Sequence, residues 1–117
     1  MKYDLEERTA AFGEAAIRCA KALPRDMISD DTIRQFVRAA TSIGANYAEA
    51  NGASSRRDFR NKMFICKKEA QETKHWVRML ASVFPTHRPA FKKLWGETHE
   101  LTLIFQKICS SLKSPPV

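Results

Sequence analysis

Apolar positions recur along this chain at alternating gaps of three and four, the spacing of helices that each bury one stripe. Leu5, Thr9, Phe12, Ala16, Cys19 and Leu23 form the first series, and Asp4 with Glu7 three residues later resembles a capping box ahead of it. Ile33, Phe36, Val37, Ala40, Ile43, Gly44 and Tyr47 form the second. Ser29, Asp30 and Asp31 supply its N-cap and first-turn negative charge, and Asn51 with Gly52 supplies its stop. The third series is the clearest: Phe59, Met63, Cys66, Ala70, Thr73, Val77, Leu80 and Phe84, opened by Ser55 with Asp58 and halted by Pro85. Beyond Pro89, Phe91, Leu94, Thr98, Leu101, Phe105, Ile108 and Leu112 repeat the alternation, and a short Ser-Pro tail follows. These periods predict helices over 5–23, 30–51, 56–84 and 88–113, and they exclude an all-β fold. Short connections make consecutive helices neighbours, so the expected architecture is all-α, an antiparallel up-down four-helix bundle occupying residues 1–117 as one domain.

Composition narrows the function classes without altering that picture. A length of 117 residues suits one domain and argues against a two-domain enzyme; 44% hydrophobic and 28% charged residues are ordinary for a globular chain. Twenty Lys and Arg against thirteen Asp and Glu leave a formal charge of +7, which favours acidic partners such as nucleic acid or an anionic membrane. Cys19, Cys66 and Cys109 stand too far apart for a zinc pattern or a disulfide framework, and read as reduced core residues of a cytoplasmic protein. The acidic start is unlike a signal peptide, and no run approaches the roughly 20 apolar residues of a membrane span. No membrane partner is expected.

The third helix carries more than its core stripe. At about 100° per residue, Arg56, Arg60, Lys67, Lys74 and Arg78 align along one edge beside the core heptad. On the other side Ile65, Trp76, Met79 and Val83 form a second apolar arc, with Glu69 and Glu72 on or beside it. Two explanations stand: a helix sunk deep in its own bundle, or a subunit interface of Ile65, Glu69, Trp76, Met79 and Val83 anchored by Trp76. Carboxylates on such an arc need partners, and Lys68, Arg34 and Arg38 are the candidates. Gly44, in mid-helix at a cost of about 1 kcal/mol relative to Ala, implies a close crossing there. The outward residues Gln35, Ser42, Asn46 and Glu49 of the second helix suggest a face that another polypeptide covers.

Three runs carry a family resemblance: Ala40-Thr41-Ser42-Ile43-Gly44-Ala45-Asn46-Tyr47-Ala48-Glu49-Ala50, then Ser55-Arg56-Arg57-Asp58-Phe59, then Lys68-Glu69-Ala70-Gln71-Glu72-Thr73 with Trp76 following. Together they resemble the 23S ribosomal RNA intervening-sequence proteins, over nearly the whole chain from Asp4-Leu5 to about Leu112. The resemblance implies a four-helix bundle assembled as a ring-shaped homopentamer. A related branch is similar to the accessory variability protein of diversity-generating retroelements, a basic pentameric bundle that binds nucleic acid and a reverse transcriptase. Lys67, Lys68 and Tyr47 depart from the usual pattern; they add charge and bulk while leaving the heptad undisturbed.

Catalysis has one sequence lead, Glu72-x-x-His75, the carboxylate and imidazole pair that di-iron bundles use. Such sites need a second E-x-x-H, and neither His87 nor His99 has a Glu three residues before it. Nucleophile-elbow, P-loop, H-E-x-x-H and dinucleotide-binding motifs are absent, so neither enzyme activity nor a metal or other cofactor is expected. Binding is the better reading. Arg56, Arg57, Arg60, Lys62, Lys67, Lys68, Lys74 and Arg78 face only Asp58, Glu69 and Glu72 within the third helix, a net charge of +5. The nucleic-acid-binding candidates are Arg56, Arg57, Arg60, Lys67, Lys74 and Arg78. Phosphate contacts to structured RNA or duplex are expected, because the aromatic residues are mostly committed to heptad positions and few remain to stack on bases. The alternative from another class is a protein scaffold that presents the second helix or the basic rim to a polymerase or reverse transcriptase.

Overall fold

Capping chemistry sets the helix boundaries. The computed structural model describes residues 4–112, with α1 at Leu5–Lys21, α2 at Asp30–Asn51, α3 at Arg56–Val83 and α4 at Arg88–Ser111. The Asp4 carboxylate accepts from the Glu7 N–H at 3.3 Å, and the Ser55 hydroxyl accepts from the Asp58 N–H at 3.0 Å, as the capping patterns require. Ser29 does not cap α2. The Asp26 carboxylate takes the Ser29 N–H at 2.8 Å and the Asp26 carbonyl takes the Asp30 N–H at 3.0 Å, so the helical turn is nucleated three residues earlier. The helix α1 stops at Lys21, two residues short of the expected end, because Pro24 disfavours helical geometry at Leu23. Leu23 nevertheless folds back and is buried. Pro85–His87 form a 3₁₀ turn leading directly into α4. Residue 113, the expected end of the last helix, lies outside the described residues.

Four helices and, among the described residues, no strand make a bundle 53 Å long and 24 by 22 Å across. Its core follows the three-four alternation. Met63, Cys66, Ala70, Thr73, Val77, Leu80 and Phe84 of the third series are buried, as are Phe91, Leu94, Thr98, Leu101 and Phe105 of the fourth. Aromatic pairs join α2 to α4 through the centre: Phe36 meets Phe91 edge-on at 6.2 Å, and Tyr47 lies 6.3 Å from Phe105. The buried hydroxyls of Thr9, Thr73, Thr98 and Thr102 each donate to the carbonyl four residues back, at 2.6 to 2.8 Å, so none is left unsatisfied.

The α1–α2 crossing is as close as Gly44 implies. A Cβ placed there would lie 3.3 Å from the Thr9 Oγ1 and 3.4 Å from the Thr9 carbonyl oxygen. Across the α2–α3 seam, Ile43 is opposite Cys66 and Glu49 is opposite Lys62, so residue numbers run in opposite senses. Of the neighbouring helix pairs, α1 and α4 approach least. Between them lies an open cavity of about 560 Å³ lined by Phe12, Leu94, Ala15 and Cys19 among others, with the Arg8–Glu97 pair at its edge.

Candidate nucleic-acid interface

Packing sorts the charges of α3 onto its two sides. Glu69 and Glu72 face α2, where both carboxylates bind the Arg38 guanidinium; the Arg38–Glu69 contact is 3.1 Å. This settles the partner of those carboxylates as Arg38, and neither Lys68 nor Arg34 pairs with them. Lys62 also turns to α2 and pairs with Glu49 at 2.8 Å, so it is withdrawn from the cationic edge. The only acids of α4, Glu97 and Glu100, are held on the far side by Arg8, at 2.8 and 3.3 Å.

What remains at the α3–α4 seam is positive. Arg60, Lys67 and Lys74 are half-buried along it, and Arg78 is exposed one turn beyond Lys74. Arg56 and Arg57 are exposed in the first turn. Among the described residues, none of these six cations is paired with a carboxylate. The Lys74 ammonium donates to the His99 Nδ1 at 3.0 Å and sits 4.7 Å from the centroid of the Trp95 ring.

Two aromatic side chains join this edge. Phe64 is 38% exposed, with the Arg60 guanidinium 5.8 Å and the Lys67 ammonium 5.9 Å from its ring centroid, and Trp95 is 40% exposed. Both lie outside the core, and they are the few aromatic side chains of the described residues that heptad packing leaves over. Phe64 falls outside the heptad on a helical wheel and was in that sense legible. The approach of Trp95 to Lys74 depends on the register of α3 against α4, which no local pattern encodes.

The second apolar arc divides. Trp76 packs on the core and donates its indole N–H to the Glu72 carboxylate at 3.0 Å, so this side chain is already satisfied inside the chain. Met79 is half-buried, while Ile65 and Val83 are exposed at 37% and 53%. On α2 the outward polar residues also find partners within the chain. Gln35 accepts from Arg38, Asn46 donates to the Ser42 carbonyl, and Glu49 pairs with Lys62. The most exposed apolar side chains, Met27 and Ile28, stand at the tip of the α1–α2 connection.

The catalytic lead has other employment. Glu72 is engaged by Arg38 and Trp76, and the exposed His75 ring rests edge-on against Trp76 at 4.8 Å. Among the described residues no three His, Cys, Asp or Glu side chains converge as metal ligands would. Burial pushes the Cys66 thiol up to about 12 and raises Cys19 and Cys109 as well, which disfavours the thiolate form. No described helix is long and apolar enough to cross a membrane.

The comparisons agree with this architecture. A family model described as 23S rRNA-intervening sequence protein matches residues 2–107. The fold is similar to a crystal structure of a protein with unknown function from the S23 ribosomal protein family of Bacteroides thetaiotaomicron. That match has 30% identity and a TM-score of 0.81, and it covers 90% of this chain and 97% of the other. No curated protein matches. With a family model spanning nearly all of a four-helix chain, and a solved relative of the same fold, this protein belongs to the 23S rRNA-intervening sequence protein family.

Proposed function

We propose that this protein is a non-catalytic, cytoplasmic nucleic-acid-binding bundle that works through the cationic α3–α4 edge. The observation that carries the reading is the sorting of charge. Glu69 and Glu72 of α3 are drawn to α2 and Glu97 and Glu100 of α4 to α1, while Arg60, Lys67, Lys74 and Arg78 share one edge without an acidic partner among the described residues. Four such cations neutralising phosphates give a log-log salt slope of about −3 for each protomer engaged. The opposed numbering across the α2–α3 seam supports an antiparallel up-down bundle.

The same reading includes assembly into a ring, with five copies as the family resemblance implies. A ring repeats the basic edge around its symmetry axis, so weak contacts add along one polynucleotide. Exposed Ile65 and Val83, beside half-buried Trp76 and Met79, are the side chains on which that assembly would draw.

Replacing Arg60, Lys67 and Lys74 together by Glu tests the binding role. The expected result is loss of RNA and DNA binding with unchanged helical circular dichroism and unchanged light-scattering mass. Retained affinity would overturn the reading and direct attention to a scaffold for a larger enzyme.

A further inference from the structure

We propose that the α3–α4 edge takes unpaired nucleotides, with bases stacked on Phe64 and Trp95 and phosphates held by Arg60, Lys67 and Lys74. The inference rests on the nucleic-acid reading above and specifies the form of its ligand. Duplex phosphates would be served by the cations alone. A base pair inside a helix has no free face to offer an aromatic ring, whereas every unpaired base does. The structure provides what that chemistry uses. Phe64 is exposed between Arg60 and Lys67, Trp95 is exposed against Lys74, and each ring is flanked by a cation within 6 Å.

The pieces are spaced for one strand. Lys74, which marks the position of Trp95 along α3, is ten residues from Phe64, about 15 Å at the helical rise. That is about four nucleotides at stacked spacing, with Lys67 between the two platforms. The Lys74 ammonium has only protons to give, so the His99 Nδ1 accepts and the imidazole proton resides on Nε2. This contact keeps the Lys74 head over the indole and leaves His99 with a donor to offer a phosphate or a base edge. Phe64 and Trp95 also make no contribution to the buried core that would otherwise explain a large aromatic at either position.

The test is fluorescence anisotropy at physiological salt with labelled oligouridine, labelled oligothymidine and a duplex of equal length. The proteins compared are the wild-type chain, Phe64→Leu, Trp95→Leu and the Arg60/Lys67/Lys74→Glu variant. Both single strands are expected to bind at least about tenfold more tightly than the duplex, and each aromatic replacement to weaken them about tenfold without changing duplex affinity. A second measurement leaves the proposed platforms intact. In a Trp76→Phe background Trp95 is the sole tryptophan, and its emission is expected to be quenched when oligouridine binds. Single-strand affinity unaffected by Phe64→Leu and Trp95→Leu, with unquenched Trp95 emission, overturns base stacking while leaving phosphate binding in place if the charge-reversed variant still loses affinity. Failure of the wild-type chain to bind any of the three probes overturns both readings.

Discussion

Arg38 and Glu69 form a 3.1 Å ion pair across the α2–α3 seam, and the same guanidinium also takes Glu72. The consequence is felt on the opposite side of α3. With Glu69 and Glu72 drawn to Arg38 of α2, the cations along the other edge of α3 are left without those carboxylates as partners. Glu69 retains only 13% of its side-chain exposure, so it depends on the arginine that reaches it.

Replacing Arg38 with Ala should therefore destabilise the fold. Leaving a nearly buried carboxylate unpaired costs about 3 kcal/mol at the upper end, and the half-exposed position of Arg38 reduces the expectation to about 1–2 kcal/mol. Urea unfolding measures it. Nucleic-acid affinity at the far edge should be unchanged in the same variant, which separates the structural pair from the binding cations.

Gly44 sets the distance between α1 and α2. A leucine there must displace Thr9 and its backbone, since even a Cβ reaches 3.3 Å from that residue, and overpacking of this kind costs about 1–3 kcal/mol. The expected result is a lower urea midpoint for Gly44→Leu. A midpoint equal to that of the wild type would mean that α1 is free to move away from α2.

Alkaline pH should weaken the protein through Cys66. Its thiol is raised, chiefly by burial, from the ordinary value of 9.0 to about 12. Between those values the unfolded chain has released the proton that the folded chain still holds, so stability falls as pH rises. Cys66→Ser removes this titration, and its stability should decline less steeply than that of the wild type over the same range. Parallel declines would show that Cys66 ionises as readily folded as unfolded.

Assembly is tested most cleanly at the exposed part of the second apolar arc. Trp76→Ala removes a side chain that also bonds Glu72 and packs on the core, so a changed mass there would mix folding with association. Ile65→Glu with Val83→Glu alters only exposed positions. Light scattering should show a mass well above 13.3 kDa for the wild type and a value near it for the double variant. An unchanged mass removes this arc from the interface.

Much of the fold was legible because apolar spacing and prolines carry it locally. The series through α3 contains every buried residue of that helix, and Gly44 announced its close neighbour. The burial of Thr102 and Ile104 was not legible, whereas that of Cys109 was expected of a core thiol. The helix α4 faces α3 on one flank and α1 on another, while meeting α2 through the core, so its buried face is wider than a strict heptad stripe. The cation edge of the site could be read from a helical wheel. The neutralisation of Lys62 by Glu49 and the placement of Trp95 beneath Lys74 required the register between helices, which tertiary packing decides.

Nucleic-acid binding by the α3–α4 edge is measured most directly as the affinity of the purified protein for labelled RNA and DNA while salt is raised from low to above physiological strength. Binding is expected to persist at physiological salt, with a log-log slope of about −3 or steeper. Binding that vanishes before physiological salt is reached would mean that the cations of α3 form an ordinary solvated face.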